Sequence, residues 1–196
     1  KFENPEDTSK YWIEEQKKIN SSKKNFFFKT HNALCKINGN KFTDQENTLA
    51  SIYIIRDPRN VVTSIAHHYQ INTKDAFNFM MDKKRGIIEK ENDRYTGFQA
   101  LLSWDLHVKS WTENTLYPTL VIRYEDLIID AKSTFEKILI FIKKITNSKD
   151  SINQQKLMKC IENCKFSNLK KMETENGFEE SMMNKKTGDK INVLVS

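Results

Sequence analysis

Glycine, cysteine and long apolar runs are scarce in this chain, and each shortage closes off a class of function. Five glycines (Gly39, Gly86, Gly97, Gly177, Gly188) in 196 residues leave no Walker loop and no GxGxxG turn. Kinases, P-loop nucleotide hydrolases and dinucleotide oxidoreductases are therefore excluded by motif. The three cysteines, Cys35, Cys160 and Cys164, cannot all pair, and the last two stand four apart, on one face if that stretch is a helix. All three are expected to be buried free thiols, with neither a disulfide nor zinc. No HExxH motif and no metal-ligating carboxylate run is present, so no metal is expected. No apolar run approaches the roughly 18 residues that span a membrane. The first residues hold no apolar stretch of a secretory signal, so the expected location is cytoplasmic.

What the chain does have is charge. Lysine and arginine number 32 against 26 acids, for a net charge of +6. Only five of the basic residues are arginine (Arg56, Arg59, Arg85, Arg94, Arg123), and the lysines are scattered among acids rather than drawn into a stripe. This is the pattern of a solvated lysine-rich surface, and no nucleic-acid partner is expected. The length suits one domain, taken as residues 1–196.

Helical and extended signals alternate. Asn4, Pro5, Glu6 and Asp7 open a helix that Lys17 and Lys18 close. Three short runs rich in β-branched and aromatic residues, Asn25–Lys29, Ser51–Ile55 and Thr119–Arg123, read as strands, buried because no polar residues alternate through them. Between them, Val61, Ile65 and Tyr69 align on a helix over 58–69, and Leu101, Trp104, Val108 and Trp111 on one over 98–111. Ser133 and Glu136 form a capping-box pair ahead of Phe135, Ile138, Leu139 and Ile142, and a further helix is expected over 152–164. Buried strands separated by helices predict an α/β fold, a three-layer sandwich around a central parallel sheet. Residues 177–196 are polar and read as a loop or tail.

In an open parallel sheet, ligands bind beyond the carboxyl ends of the strands. Those ends are polar here: Lys29, Thr30 and His31; Arg56, Asp57, Pro58 and Arg59; Arg123, Tyr124, Glu125 and Asp126. Asp57 before Pro58 caps a helix whose free N–H groups and positive end favour an anion. Arg56 and Arg59 either grip a phosphate with their planar forks or pair with carboxylates such as Asp57 or Glu125; the spacing serves both. His31 is either a hydrogen-bonded structural residue or, as a neutral imidazole, a general base for a hydroxyl acceptor. His67, His68 and His107 read as helix-face residues.

Several segments, in order, resemble the sulfotransferase family. FFFKTHNAL is similar to its strand and loop ending in KTH, and IYIIRDPRNVVTS to its 3′-phosphate signature, RNPRDVxVS. WDLHVKSW resembles its helix of spaced tryptophans, and LVIRYEDL its strand ending in YED. The resemblance implies a P-loop-NTPase-like sulfotransferase fold that carries a sulfuryl group from 3′-phosphoadenosine 5′-phosphosulfate (PAPS) to a hydroxyl or amine of a small molecule or glycan, leaving PAP, without a metal. It makes His31 the general base and Lys29 the lysine that stabilises the sulfuryl charge. Arg56 and Ser64 grip the 3′-phosphate, and Tyr124 lies near the adenosine. CKFSNLKK resembles TSFxxMKK, with Cys164 and Lys165 replacing Thr and Ser, and places Phe166 against the adenine, core packing being its other reading. NKKTGDK resembles the RKGxxGDW loop, without its first glycine and its tryptophan, and assigns Lys185, Lys186 and Gly188 to the 3′-phosphate. Nothing matches the PKSGTTW loop that holds the 5′-phosphosulfate, so the chain is expected to begin after it. A non-catalytic nucleotide-binding or partner-binding fragment of the same fold is the alternative.

Overall fold

The computed structural model describes residues 2–22 and 24–177, which fall into two compact units. The first comprises Lys1–Ile55 and Asn78–Val121, the second Arg56–Phe77 and Ile122–Ser196.

The first unit opens with a 3-10 helix, Pro5–Tyr11, running into α1, Trp12–Asn20. Pro5 at the first turn and the acids Glu6 and Asp7 make the start that the sequence predicts. A two-residue hairpin follows, β1 (Lys36–Ile37) with β2 (Asn40–Lys41), and α1 rests on it. There Gln16 Nε2 donates to the Phe42 carbonyl at 2.7 Å, and the Trp12 and Phe42 rings meet edge-on, centroids 5.5 Å apart.

β3 (Ser51–Ile55) pairs with β6 (Thr119–Arg123). The two strands begin side by side: Ser51 N donates to the Pro118 carbonyl, and the Ser51 and Thr119 hydroxyls share a hydrogen bond of 2.7 Å. Neighbouring starts mean parallel strands, and this pair is the parallel sheet of the α/β fold. These strands are not buried on both faces as predicted, since Ile52, Ile54 and Val121 are exposed.

The first expected strand does not form. Residues 24–34 carry no regular structure except a bend, and Phe27 and Phe28 are 75% and 70% exposed. An apolar run becomes a strand only where another strand takes its backbone hydrogen bonds, and among the described residues none pairs with 25–29.

The helix expected over 98–111 is shorter. α4 covers Trp104–Thr112, and Phe98 belongs to an antiparallel hairpin of β4 (Gly86–Glu91) and β5 (Arg94–Ala100). Asn92 and Asp93 join the two strands, both at positive φ (48° and 58°), as a tight two-residue β-turn of the mirror-image kind demands.

The second unit holds α2 (Pro58–Tyr69), the start of α3 (Thr73–Met81) and four further helices. These are α5 (Tyr124–Ile129), α6 (Ala131–Thr146), α7 (Gln154–Asn163) and α8 (Phe166–Asn176). α6 starts one turn earlier than its capping-box pair implied. Asp130, not Ser133, is the cap, and its carboxylate accepts from Ser133 N at 3.0 Å. Two of the three thiols depart from expectation: Cys160 and Cys164 are exposed, and Cys35 is half-buried. Cys160 and Cys164 stand three and seven residues after the buried Leu157, on its side of α7, and are exposed all the same.

Candidate functional site

In the first unit the candidate residues Lys29 and His31 are both exposed, on the irregular segment before Asn32. Irregular backbone lets the two side chains escape the alternation of a strand, as sharing a site requires. His31 is held by its backbone. Its N–H donates to Gln99 Oε1 at 2.9 Å, and its carbonyl lies 3.2 Å from His107 Nε2. A carbonyl only accepts, so Nε2 carries the proton, and Nδ1 of the same ring accepts from the Tyr53 hydroxyl at 3.0 Å. Burial pushes the His107 imidazolium toward losing its proton and raises the Tyr53 phenol to about 12. Both effects favour the neutral pair that this geometry needs.

Asn32 locks the next residue. It is 4% exposed; its Oδ1 accepts from Ala100 N at 2.7 Å and its carbonyl from Trp111 Nε1 at 3.1 Å. Asn32 N in turn donates to Thr30 Oγ1 at 3.0 Å. Asn32, His107 and Gln99 are positioning residues that the sequence reading missed, His107 having been taken for a helix-face residue. The one available signal was a buried-type Trp111 and a histidine on the same helix.

In the second unit, Asp57 caps α2 as predicted, accepting from Arg59 N at 2.9 Å. The Arg59 guanidinium folds back onto the same carboxylate, with Nε 3.0 Å from Oδ1, and holds Asp57 down at about 2. Glu125 Oε1 accepts from Asp57 N at 3.0 Å, and that backbone hydrogen bond lowers the Glu125 carboxyl as well. The helix start is thus already served by carboxylates, and Arg59 resolves toward pairing rather than toward a phosphate.

Arg56 is set differently. Its guanidinium carbon sits 4.7 Å from the centre of the Tyr124 ring, and its Nε, like that of Arg85, is buried without a hydrogen-bond partner. A buried guanidinium N–H left unpaired is costly, and an anion beside it would offset that cost. Ser64 is exposed, two turns into α2. Phe166, the first residue of α8, is 43% exposed, with Lys170 Nζ 5.8 Å from its ring centre. The ring is open to solvent on part of its surface. Lys185, Lys186 and Gly188, with the rest of the expected tail beyond Gly177, lie outside the described residues.

Among the described residues no group of three or more His, Cys, Asp or Glu stands ready for a metal, and no helix is long and apolar enough to cross a membrane. No curated protein matches this chain. Among solved structures it is similar to the crystal structure of mouse sulfotransferase SULT7A1 complexed with PAP, at 20% identity and a TM-score of 0.44. That match covers 74% of this chain and 46% of the mouse protein, so this chain spans less than half of its length. The family model of the sulfotransferase domain matches residues 7–194, nearly the whole sequence, and the chain belongs to that family.

Proposed function

We propose that the protein transfers the sulfuryl group of PAPS to a hydroxyl or amine of a small-molecule or glycan acceptor, releasing PAP. The observation that carries the donor half is Arg56: a guanidinium laid on Tyr124 with a buried, unpaired Nε. It meets the 3′-phosphate with its planar fork, which a lysine does not offer. Ser64 adds a hydroxyl to that phosphate, Tyr124 lies by the adenosine, and the open face of Phe166 takes the adenine.

In the transfer half, His31 accepts the acceptor's proton as the bond from its oxygen or nitrogen to sulfur forms and the bond from sulfur to the donor phosphate breaks. The exposed Lys29 stabilises the negative charge on the sulfuryl oxygens. Holding His31 by both backbone groups supports this role, because a general base must be within about 3 Å of its proton. No step calls on a metal.

The test is calorimetric titration with adenosine 3′,5′-bisphosphate against 5′-AMP, at physiological salt, on the chain and on Arg56→Ala. The reading expects the bisphosphate to bind at least about ten-fold more tightly, and the variant to lose that margin. Equal affinity for both nucleotides in the unaltered chain would falsify the donor site. Bisphosphate binding without sulfuryl transfer to any phenol, alcohol or amine would favour the non-catalytic nucleotide-binding alternative.

A further inference from the structure

The proposed reaction uses none of the three thiols, and two of them share one turn of helix. Cys160 and Cys164 are free and exposed at the end of α7, whereas Cys35 is half-buried in the first unit. α7 is held at both ends. At its start the Asn153 side chain accepts from Lys156 N at 2.9 Å, and at its close Cys164 N donates to the Cys160 carbonyl at 3.1 Å. That last bond is the i to i−4 contact of an α-helix, so the turn between the two cysteines is closed. A closed turn stacks their side chains on one face with Cβ atoms about 5–6 Å apart.

This separation decides what the pair can do. A disulfide needs Cβ atoms about 3.5–4.5 Å apart, so oxidation has to draw the last turn together by about 1 Å at the expense of its hydrogen bonds. A single atom bound to both sulfurs at roughly 2.3 Å, the length of a metal–thiolate bond, spans the wider gap with the turn intact. Bridging by one soft atom therefore suits the pair better than oxidation does.

The surroundings narrow the choice of that atom. A zinc site needs more protein ligands than this pair supplies, and among the described residues no group of three or more His, Cys, Asp or Glu gathers. One turn before Cys160 on the same side stand Lys156 and Leu157, an ammonium and an apolar side chain, neither with a lone pair to offer. The carboxylate between the cysteines, Glu162, is taken by Lys165 at 2.7 Å. Two sulfurs are what the turn provides, and thiolates select soft partners.

We propose that Cys160 and Cys164 form a two-sulfur site for a thiophilic centre with two valences to fill, the class being a trivalent arsenical that carries one organic group. The step is a condensation without redox. Written for phenylarsine oxide, the arsenic–oxygen double bond gives way to two arsenic–sulfur bonds, and the oxygen leaves with the two thiol protons as one water. Arsenic stays trivalent. The second arsenic–sulfur bond is intramolecular, which strengthens the hold of the pair over that of a single thiol by about 100-fold or more. The site does not depend on sulfuryl transfer, since α7 carries none of the residues assigned to that reaction.

The test is intact-mass spectrometry of the reduced chain after one equivalent of phenylarsine oxide at pH 7.5, with increasing amounts of the monothiol 2-mercaptoethanol as competitor. Cys160→Ser, Cys164→Ser and Cys35→Ser are run beside it. Both helix cysteines are exposed and serine keeps their shape, so folding is not at stake. The expected result is one phenylarsenic group per chain that withstands the monothiol in the natural chain and in Cys35→Ser. In Cys160→Ser and Cys164→Ser the group should be stripped by at least about 100-fold less monothiol. An adduct that withstands the monothiol in either helix variant overturns the proposal. So does one stripped from the natural chain as readily as from those variants, and so does a bridge that is lost in Cys35→Ser, which would place it on another pair of thiols.

Discussion

Two histidines of the first unit differ in setting. His31 is exposed and is the general base of the proposed reaction, while His107 is half-buried and contacts the His31 carbonyl. Because burial lowers the proton affinity of His107 below its ordinary 6.5, the unfolded chain takes up that proton at a higher pH than the folded one. Its contribution to stability is thus complete above about pH 6.5 and is lost as pH falls through the lower folded value. Denaturant melts between pH 7.5 and 5 should show stability falling with pH more steeply in the natural chain than in His107→Gln. Equal slopes would remove His107 from the account. Asp57, held low by Arg59, loses its contribution only near pH 4 and below, a loss that begins at a lower pH than that of His107. Arg56 permits a finer test than removal. Arg56→Lys keeps the charge and discards the planar fork and the stacked face, and affinity for adenosine 3′,5′-bisphosphate should fall about ten-fold with 5′-AMP little changed. His31 and Arg56 could be picked out from their neighbours in sequence. Asn32 and His107 could not, because their partners lie 79 and 76 residues away.

Secondary structure was legible at α2 and α7, where a cap is spelled out locally, and misread over 98–111, where spacing alone was used. α2 begins at Asp57 and Pro58 as predicted, and α7 begins after Asn153, whose side chain accepts from Lys156 N at 2.9 Å. Over 98–111 the apolar spacing was helical, yet Asn92-Asp93 between Glu91 and Arg94 was a hairpin signal of equal strength. Arg94, Tyr95, Gly97 and Phe98 then paired with β4, and the cross-strand hydrogen bonds outweighed periodicity. At α6 the observed cap makes a testable distinction between two candidate residues three positions apart. Asp130→Ala should destabilise the protein by about 1 kcal/mol in thermal melts, and Ser133→Ala by much less. The reverse order would restore the capping-box start that the sequence pattern favoured.

Taken as a molecule, the chain places much apolar surface in solvent. Phe27 and Phe28 make no strand, and the faces of β3 and β6 leave Ile52, Ile54 and Val121 open. Exposed apolar side chains of this size favour association. The double substitution of Phe27 and Phe28 by serine should reduce self-association in sedimentation velocity while changing unfolding free energy by no more than about 0.5 kcal/mol. A large loss of stability would mean that the two rings are packed after all. The family, the cap of α2 and the strands Ser51–Ile55 and Thr119–Arg123 were readable along the chain, because each is announced by residues next to it. The pairing of Arg59 rather than Arg56 with Asp57, the clamp on His31 and the failure of 25–29 to form a strand were settled by folding. Each of these depends on which groups compete for one hydrogen-bond partner or one space, and that competition exists only once distant segments are side by side.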